Sequence, residues 1–260
     1  TYLILTICCI IGLFLAGMNL FDAVNHGFTT IATAGFSTKN ESIAYFDNIA
    51  IELVMIFFML LSVIPYVLYI YLFTGKSALF FKEQQVLFFG KILLASYVCV
   101  FCWLYCSLNL PFEKALRGSL FNVTSLITTS GFANADYSAW GGFIIILVFL
   151  LAIIGGCTGS TSGGVKIFRI QVLVSSVRTQ IHRLIHPHGI FTPQYNKKPI
   201  TEQTINAVLS FVVIFFICVV LLAIILSLTG LGYITSVSGS VAMLTNLGPG
   251  LGETIGPAGN

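Results

Sequence analysis

Three short polar turns, each built around one glycine, are the residues of this sequence whose main chain could bind an ion. Each turn follows a short helical segment, and each of those segments follows a long apolar run. The turns are Thr33-Ala34-Gly35-Phe36, Thr129-Ser130-Gly131-Phe132 and Asn246-Leu247-Gly248-Pro249. Because the same order of parts occurs three times, with the glycines 96 and 117 residues apart, we interpret the turns as members of an internal repeat.

The chemistry expected of these turns is cation binding by main-chain carbonyl oxygens. A glycine permits the unusual dihedral angles that aim successive carbonyls inward, because it has no Cβ. A ring of such carbonyls can replace the hydration shell of an ion. A divalent site would be expected to carry Asp or Glu, and none of the three turns contains a carboxylate. The sequence therefore favours a large monovalent cation, which is the easiest to dehydrate, and predicts no other metal site.

The elements that must position the turns are three half-length helices, predicted at Phe21–Thr33, Pro111–Thr129 and Tyr233–Thr245. A helix that enters the membrane from outside points its C-terminus at the membrane centre, and that end carries about half a negative charge. This charge also favours a cation. Irregular backbone at that depth is tolerated only where it is buried in protein or lines a water-filled cavity.

Composition places the chain in a bilayer. The sequence is 57% hydrophobic and 8% charged, with a mean hydropathy of +0.98, whereas soluble domains carry about 25% charged residues. The apolar runs are continuous, so we predict an all-α integral membrane protein. The predicted spans include Ile49–Phe73, kinked at Pro65, and Ile205–Leu228. A net charge of +3 without a basic patch gives no sign of nucleic-acid binding, and no nucleophile–base pair in the spans suggests an enzyme.

The distribution of Lys and Arg predicts the orientation. Most basic loop residues fall on one side, which we take as cytoplasmic, and Lys39 falls on the other. The cytoplasmic set is Lys76, Lys82, Lys91, Arg178, Arg183, Lys197 and Lys198. All three turns then approach from outside. The polar loop from Asn134 is expected to place Tyr137 and Trp140 at the external interface.

A second glycine-rich stretch, residues 155–164, interrupts the apolar run that begins at Phe143. Its glycines and hydroxyl residues cannot form a stable helix in lipid. A phosphate-binding loop is excluded, because Lys166 does not directly follow the last glycine and no strand precedes the stretch. The stretch is either a packing break or a flexible gate just inside the turns. The gate residues are Gly155, Gly156, Gly159, Gly163 and Gly164, with Lys166 and Arg169 beside the inner mouth. These two cations either repel ions from a closed gate or anchor the helix by snorkelling.

The turns, half-helices and interrupted span together resemble the Trk/Ktr/HKT superfamily of potassium transporters, and most closely its Trk-type membrane subunit. The resemblance implies a potassium-channel-like plan of span, half-helix, filter turn and span, repeated within one chain. The implied potassium ligands are Thr33, Ala34, Gly35, Thr129, Ser130, Gly131, Asn246, Leu247 and Gly248, flanked by Phe36, Phe132 and Pro249. The third of these turns departs from the pattern, because it lacks Thr and Phe.

The resemblance also implies a division of the chain. Residues 1–75 form the second pore repeat and 76–87 a cytoplasmic linker. Residues 88–177 form the third repeat, including the intramembrane loop 155–164. Residues 178–200 are a cytoplasmic loop, and 201–260 are an incomplete fourth repeat. We therefore expect a fragment that lacks the first repeat and the last span.

The function implied is potassium uptake across the inner (cytoplasmic) membrane by a multi-pass protein, with K⁺ as the transported ion and no covalently bound cofactor. The implied partners, besides the lipid bilayer, are a second copy in a homodimer and a cytosolic nucleotide-binding regulatory ring. An alternative is a secondary transporter of a small solute, or a sodium-coupled cation symporter, that uses half-helix sites. Inverted repeats would support that alternative, but here the half-helices all enter from one side.

Overall fold

The computed structural model describes residues 1–75, 83–252 and 255–257, so Lys76 and Lys82 lie outside the described residues. Regular structure in these ranges is almost entirely helical. The α-helices are α1 (Tyr2–Leu15), α2 (Leu20–Ile31), α3 (Ile49–Val63), α4 (Tyr66–Phe73), α5 (Gln84–Cys102), α6 (Phe112–Ile127), α7 (Gly142–Ile154), α8 (Ile167–Ile185), α9 (Glu202–Leu228) and α10 (Tyr233–Thr245). Two 3₁₀ helices (Ser42–Phe46 and Tyr137–Trp140), a π-helix (Trp103–Ser107) and a hairpin of β1 (Gln194–Tyr195) and β2 (Lys198–Pro199) complete it.

Two helices of the described residues are long and apolar enough to cross a bilayer, by length and composition. These are α5 with its π-helical end, Gln84–Ser107, and α9. A broken pair, α3 and α4, passes the same test when its two parts are taken together. The shorter α1 and α7 are also apolar. These apolar helices agree with the all-α integral membrane protein predicted from the composition.

The break between α3 and α4 bends the chain by 95°, much more than the kink predicted at Pro65. Ile64 is extended, with ψ of 139°, because the residue before a proline avoids the helical region. The freed backbone groups find partners in the 155–164 loop. The Val63 carbonyl accepts a hydrogen bond from the Cys157 N–H (3.3 Å), and the Tyr66 N–H donates to the Gly159 carbonyl (3.0 Å). The loop thus satisfies the groups that the bend exposes, as buried backbone requires.

The half-helices α2, α6 and α10 are stabilised by burial rather than by length. In α6, every residue from Phe121 to Ile127 is buried, including Asn122 and Ser125. Residues 238–242 of α10 are buried in the same way. Helices this short are marginal alone, so the surrounding longer helices supply most of their stability.

Two hydrophobic cores meet at the polar turns. The first joins α1, α2 and α3, and Phe132 of the second turn packs in it. The other core joins α5 to α10 and includes Leu247 of the third turn. Phe132 thus packs in the core of the preceding predicted repeat, and the second core is shared by the two following ones, so the packing joins neighbouring turns.

The predicted interfacial position of Tyr137 and Trp140 is wrong. Both residues lie in a 3₁₀ helix and are buried, Tyr137 to 1% exposure. Trp103, in the π-helical end of α5, donates its Nε1–H to the Trp140 carbonyl (2.8 Å). The loop from Asn134 is therefore folded back over α6, with both rings covered by protein.

Candidate ion-binding site

The three predicted turns have the same main-chain conformation. Each begins with a non-glycine residue in the left-handed region: Thr33 (φ 51°), Thr129 (58°) and Asn246 (56°). The N–H of the following residue donates to the carbonyl five residues earlier, from Ala34 to Thr29 (2.8 Å), Ser130 to Ser125 (2.8 Å) and Leu247 to Ala242 (2.9 Å). This pattern is a Schellman cap, which ends a helix and turns the chain sharply. The three turns that resemble one another in sequence therefore also share one backbone conformation.

A second left-handed residue follows in each turn, and it is always the glycine. Gly35, Gly131 and Gly248 have φ angles of 70°, 80° and 92°. Glycine adopts such angles without the steric penalty that a Cβ brings. The glycine is therefore required by the backbone conformation of the turn.

The turns lie directly against one another. A Cβ placed on Gly35 would lie 1.9 Å from the Ser130 carbonyl oxygen, and one on Gly131 would lie 1.8 Å from the Leu247 carbonyl oxygen. The second turn thus presents a carbonyl to the first, and the third presents one to the second. Gly248 has no described atom within 4 Å of the same position. The three turns form an arc in the order first, second, third.

The outer end of each turn is held by a side chain from its own half-helix. His26 Nε2 lies 2.9 Å from Ser37 Oγ. Asn122 donates its amide to Asn134 Oδ1 (2.6 Å). Ser238 Oγ accepts from the N–H of Leu251 (2.9 Å). The first two occupy the slot nine residues before the glycine, and the third is ten residues before it. His26 thus connects α2 to Ser37, the second residue after Gly35 of the first turn.

An ion-pair cluster that the sequence reasoning missed lies outside the second turn. Arg117 donates to Asp47 (2.7 Å) and to both carboxylate oxygens of the buried Glu52 (3.0 and 3.2 Å), and its guanidinium lies 3.8 Å from Glu113. The Arg117 carbonyl accepts from Asn134 (3.4 Å). The available signal was a half-helix with three charged residues, including Arg117, in a chain that is only 8% charged, with Glu52 at the start of an apolar span.

The Ser42–Phe46 segment, which follows the first turn in the chain, also forms hydrogen bonds to the second turn. The Ala133 carbonyl accepts from the N–H groups of Ile43 (3.0 Å) and Ala44 (3.2 Å), and its N–H donates to Ser42 Oγ (3.2 Å). These contacts and the Arg117 cluster both connect the Lys39–Glu52 region to the third predicted repeat. The outer ends of adjacent turns are therefore fixed relative to each other.

The glycine-rich loop, residues 155–164, lies against the inner ends of two turns. The Gly163 N–H donates to Thr129 Oγ1 (2.7 Å). A Cβ on Gly163 would lie 1.9 Å from the Thr245 carbonyl oxygen. Within the loop, Ser162 Oγ accepts from the Gly156 N–H (2.8 Å). The loop thus fits tightly beneath the second and third turns, where only a residue without a side chain fits.

Lys166 and Arg169, for which two roles were left open, both contact protein groups. Lys166 Nζ lies 3.4 Å from the Ser160 carbonyl of the loop. The Arg169 guanidinium lies over the Phe211 ring of α9, 3.8 Å from its centre, a cation–π contact. Lys166 therefore ties the loop to the start of α8, and Arg169 ties α8 to α9.

The loop is also connected to the hairpin of β1 and β2 through the first turn of α5. The Thr158 N–H donates to Gln85 Oε1 (2.9 Å). Two residues earlier, Glu83 accepts from the Tyr195 hydroxyl (2.7 Å) of β1, and the Asn196 N–H donates to Gln84 Oε1 (3.1 Å). Burial, together with the Glu83 carboxylate, raises the pKa of Tyr195, so it stays a protonated donor.

The electrostatics of the turns are those of neutral oxygen donors. Their residues carry no charge, and no group of three or more His, Cys, Asp or Glu side chains in the described residues could hold a metal ion. Any ion in the arc would therefore meet carbonyl and hydroxyl oxygens, which suit a weakly hydrated monovalent cation better than a divalent one.

Comparison with known proteins assigns the chain to a transport family. A family model described as "TrkH: Cation transport protein" matches residues 1–258. The chain is 41% identical over 256 residues to the Trk system potassium uptake protein TrkI of Halomonas elongata, covering 98% of this chain and 52% of that protein. It is 32% identical over 253 residues to the Trk system potassium uptake protein TrkH of Escherichia coli, covering 96% and 52%.

A solved structure shows the same fold. The crystal structure of the potassium transporter TrkH from Vibrio parahaemolyticus matches with a TM-score of 0.93 at 33% identity, over 98% of this chain and 55% of that chain. The chain therefore spans about half the length of the relatives it matches.

Proposed function

Since the chain belongs to the TrkH family of cation transport proteins, we propose that it forms part of a potassium-uptake pore in the inner membrane. The residues around Gly35, Gly131 and Gly248 supply main-chain oxygens to a selectivity filter. The relatives from Halomonas elongata and Escherichia coli are named Trk system potassium uptake proteins, which supports potassium as the ion. The proposal makes K⁺ the cargo and assigns no chemical reaction to the protein.

The observation that carries the proposal is the arc of three turns with one geometry. Three helix ends, each closed by the same Schellman cap, meet with the Ser130 and Leu247 carbonyls against the neighbouring glycines. The C-terminal dipoles of α2, α6 and α10 converge on that arc, which favours a cation there. The resemblance to the Trk-type subunit implies a fourth filter strand, which would close the arc into a ring. This division into repeats follows the boundaries predicted above.

The loop 155–164 is proposed as the gate. It lies beneath two turns and fits there by means of Gly163, and it is held by hydrogen bonds to the α3–α4 break and to Gln85. Each bond is a single, reversible contact. The loop can therefore leave when those contacts are lost together.

The proposed partners act on the two ends of this arrangement. A cytosolic nucleotide-binding ring would act on the segment 178–200, whose hairpin holds the first turn of α5 and thereby the gate residue Thr158. A second copy of the chain would complete a homodimer in the bilayer. Both follow from the resemblance to the Trk-type subunit.

Flux of ⁸⁶Rb⁺ into liposomes containing the intact protein tests the proposal. We expect ⁸⁶Rb⁺ uptake that is inhibited by external potassium or unlabelled rubidium. External choline should not inhibit it. A secondary transporter of a solute would give no such preference. Equal inhibition by choline and potassium would refute the proposed pore.

A further inference from the structure

We infer that the Thr129 hydroxyl is a shared ligand: the seated gate loop occupies its oxygen, and a permeating alkali cation takes the same oxygen when the loop leaves. The inference rests on the proposed function and deepens it. It assigns the innermost cation site of the filter to a side chain and makes the occupancy of that site exclusive with gate closure.

The geometry of Thr129 points to this double use. Its side chain is fully buried, and Oγ1 accepts the Gly163 N–H at 2.7 Å. The Ser162 hydroxyl lies 3.2 Å from the same oxygen. Thr129 is also the first residue of its turn, on the side of the loop, whereas Ala133 at the other end is bound by the external Ser42–Phe46 segment. The hydroxyl is thus at the inner end of the turn.

The neighbouring turns use their polar side chains differently, and the third turn has Asn246, which carries no hydroxyl, in the position of Thr129. Thr33 Oγ1, in the same position of the first turn, donates to the Ala32 carbonyl (2.7 Å). Thr245 Oγ1, at the end of α10, donates to the Val241 carbonyl of its own helix (2.9 Å). Of the three threonines, Thr129 is the one that accepts the Gly163 N–H of the loop. The contact is therefore specific to the repeat that carries the loop.

A cation and the loop cannot use the Thr129 oxygen together. The partly positive hydrogen of the Gly163 N–H points at one lone pair of Oγ1, and the Ser162 hydroxyl, 3.2 Å away, can donate to the other, so the seated loop leaves neither lone pair open to a cation. The loop backbone also fills the space below, because Gly163 lies against the Thr245 carbonyl with no room for a Cβ. Two ligands that exclude each other are thermodynamically linked. Potassium in the inner site therefore favours the displaced loop.

The buried thiol of Cys157 reports the position of the loop. Cys157 is a free cysteine in the loop with 1% exposure, so it reacts with a maleimide only after the loop moves. We would measure its labelling in proteoliposomes of the intact protein, with an impermeant maleimide on the cytoplasmic side and mass spectrometry of the Cys157 peptide. Labelling rates are compared in potassium and in choline.

Three variants separate the hydroxyl from general effects. Thr129→Val removes the oxygen and keeps the shape. Thr129→Ser keeps the oxygen. Thr6→Val is the matched control, because Thr6 is buried in α1 and its hydroxyl bonds only to the Tyr2 carbonyl of the same helix.

The expected results are a faster labelling of Cys157 in potassium than in choline for the wild type, Thr129→Ser and Thr6→Val. In Thr129→Val the labelling in choline rises about five- to tenfold, the effect of leaving one buried N–H unpaired, and the potassium dependence is lost. The inference would be overturned if wild-type Cys157 is labelled at the same rate in potassium and in choline. It would also be overturned if Thr129→Val and Thr6→Val show the same labelling rates. If Thr129→Val does not fold, the wild type still tests the inference, because equal labelling of Cys157 in potassium and in choline would overturn it. Parallel measurement of ⁸⁶Rb⁺ flux distinguishes the proposed pore from the shared ligand. Absence of flux would refute the pore, whereas normal flux without this labelling pattern would refute only the shared ligand.

Discussion

Replacing Gly131 by alanine tests whether the turns act as one ring or as separate helix ends. The residue has φ of 80°, and its added Cβ would lie 1.8 Å from the Leu247 carbonyl oxygen and 2.8 Å from Pro249 Cδ. Real Cβ contacts are essentially never shorter than 3.0 Å, so the Leu247 carbonyl must retreat by at least about 1.2 Å. The substitution thus displaces an oxygen of one repeat from a position in another.

Gly230→Ala is the matched control for the backbone strain. Gly230 has a φ of 88°, similar to that of Gly131, but no described atom lies within 4 Å of its added Cβ. Both variants suffer the cost of a left-handed alanine, about 1–2 kcal/mol. Only Gly131→Ala also moves the Leu247 carbonyl. The difference between the two variants isolates the cross-repeat contact.

The displaced carbonyl should weaken potassium selectivity. If the ion loses one well-placed oxygen, the loss is comparable to that of a hydrogen bond to a charged group, about 1.5–3 kcal/mol. Since about 1.4 kcal/mol is tenfold in binding, the preference for potassium over sodium should fall roughly ten- to hundredfold. The assay is ⁸⁶Rb⁺ uptake against potassium and sodium competitors in proteoliposomes. A folded Gly131→Ala protein with the same potassium/sodium preference as Gly230→Ala would refute the reasoning.

Three other substitutions test the supports of the arc. Arg117→Gln should destabilise the protein by about 3 kcal/mol, because it leaves the buried Glu52 carboxylate unpaired; thermal unfolding in detergent measures this, and Glu52→Gln added to it should restore part of the loss. Asn122→Ala should lower potassium/sodium discrimination several-fold, by releasing Asn134 at a cost of about 1–3 kcal/mol; unchanged competition by sodium would count against that anchor. Tyr195→Phe should speed hydrogen exchange at Thr158 by about fivefold, because loss of the Glu83 contact removes about 1 kcal/mol from the path that holds Gln85; equal exchange in variant and wild type would separate the hairpin from the loop.

The repeated parts could be predicted from the sequence because their signals are local. The half-helices were predicted at Phe21–Thr33 and Tyr233–Thr245, and the structure has them at Leu20–Ile31 and Tyr233–Thr245. A glycine shortly after a short apolar helix marks a turn that ends the helix, although the left-handed cap residues themselves are Thr33, Thr129 and Asn246. The membrane class and the family followed from such signals, and the family match and the solved relative confirm them.

The contacts between repeats could not be predicted, because they join residues far apart in the chain. Nothing near Arg117 in the sequence indicates that its partner is Glu52, 65 residues away. The same holds for Thr129 and Gly163, and for the 95° bend at Pro65, which depends on hydrogen bonds from the loop. Tyr137 and Trp140 were placed at the interface by residue type, but the π-helical end of α5 offers Trp140 a buried partner. Tertiary contacts decided each of these cases.

Crystallography of the intact protein in rubidium would test the central claim most directly, through the anomalous signal of the ion. We predict a rubidium peak enclosed by the turns at Gly35, Gly131 and Gly248, within coordination distance of their main-chain oxygens. Turns that meet in the same arrangement with no rubidium between them, in crystals of a protein that transports the ion, would contradict it.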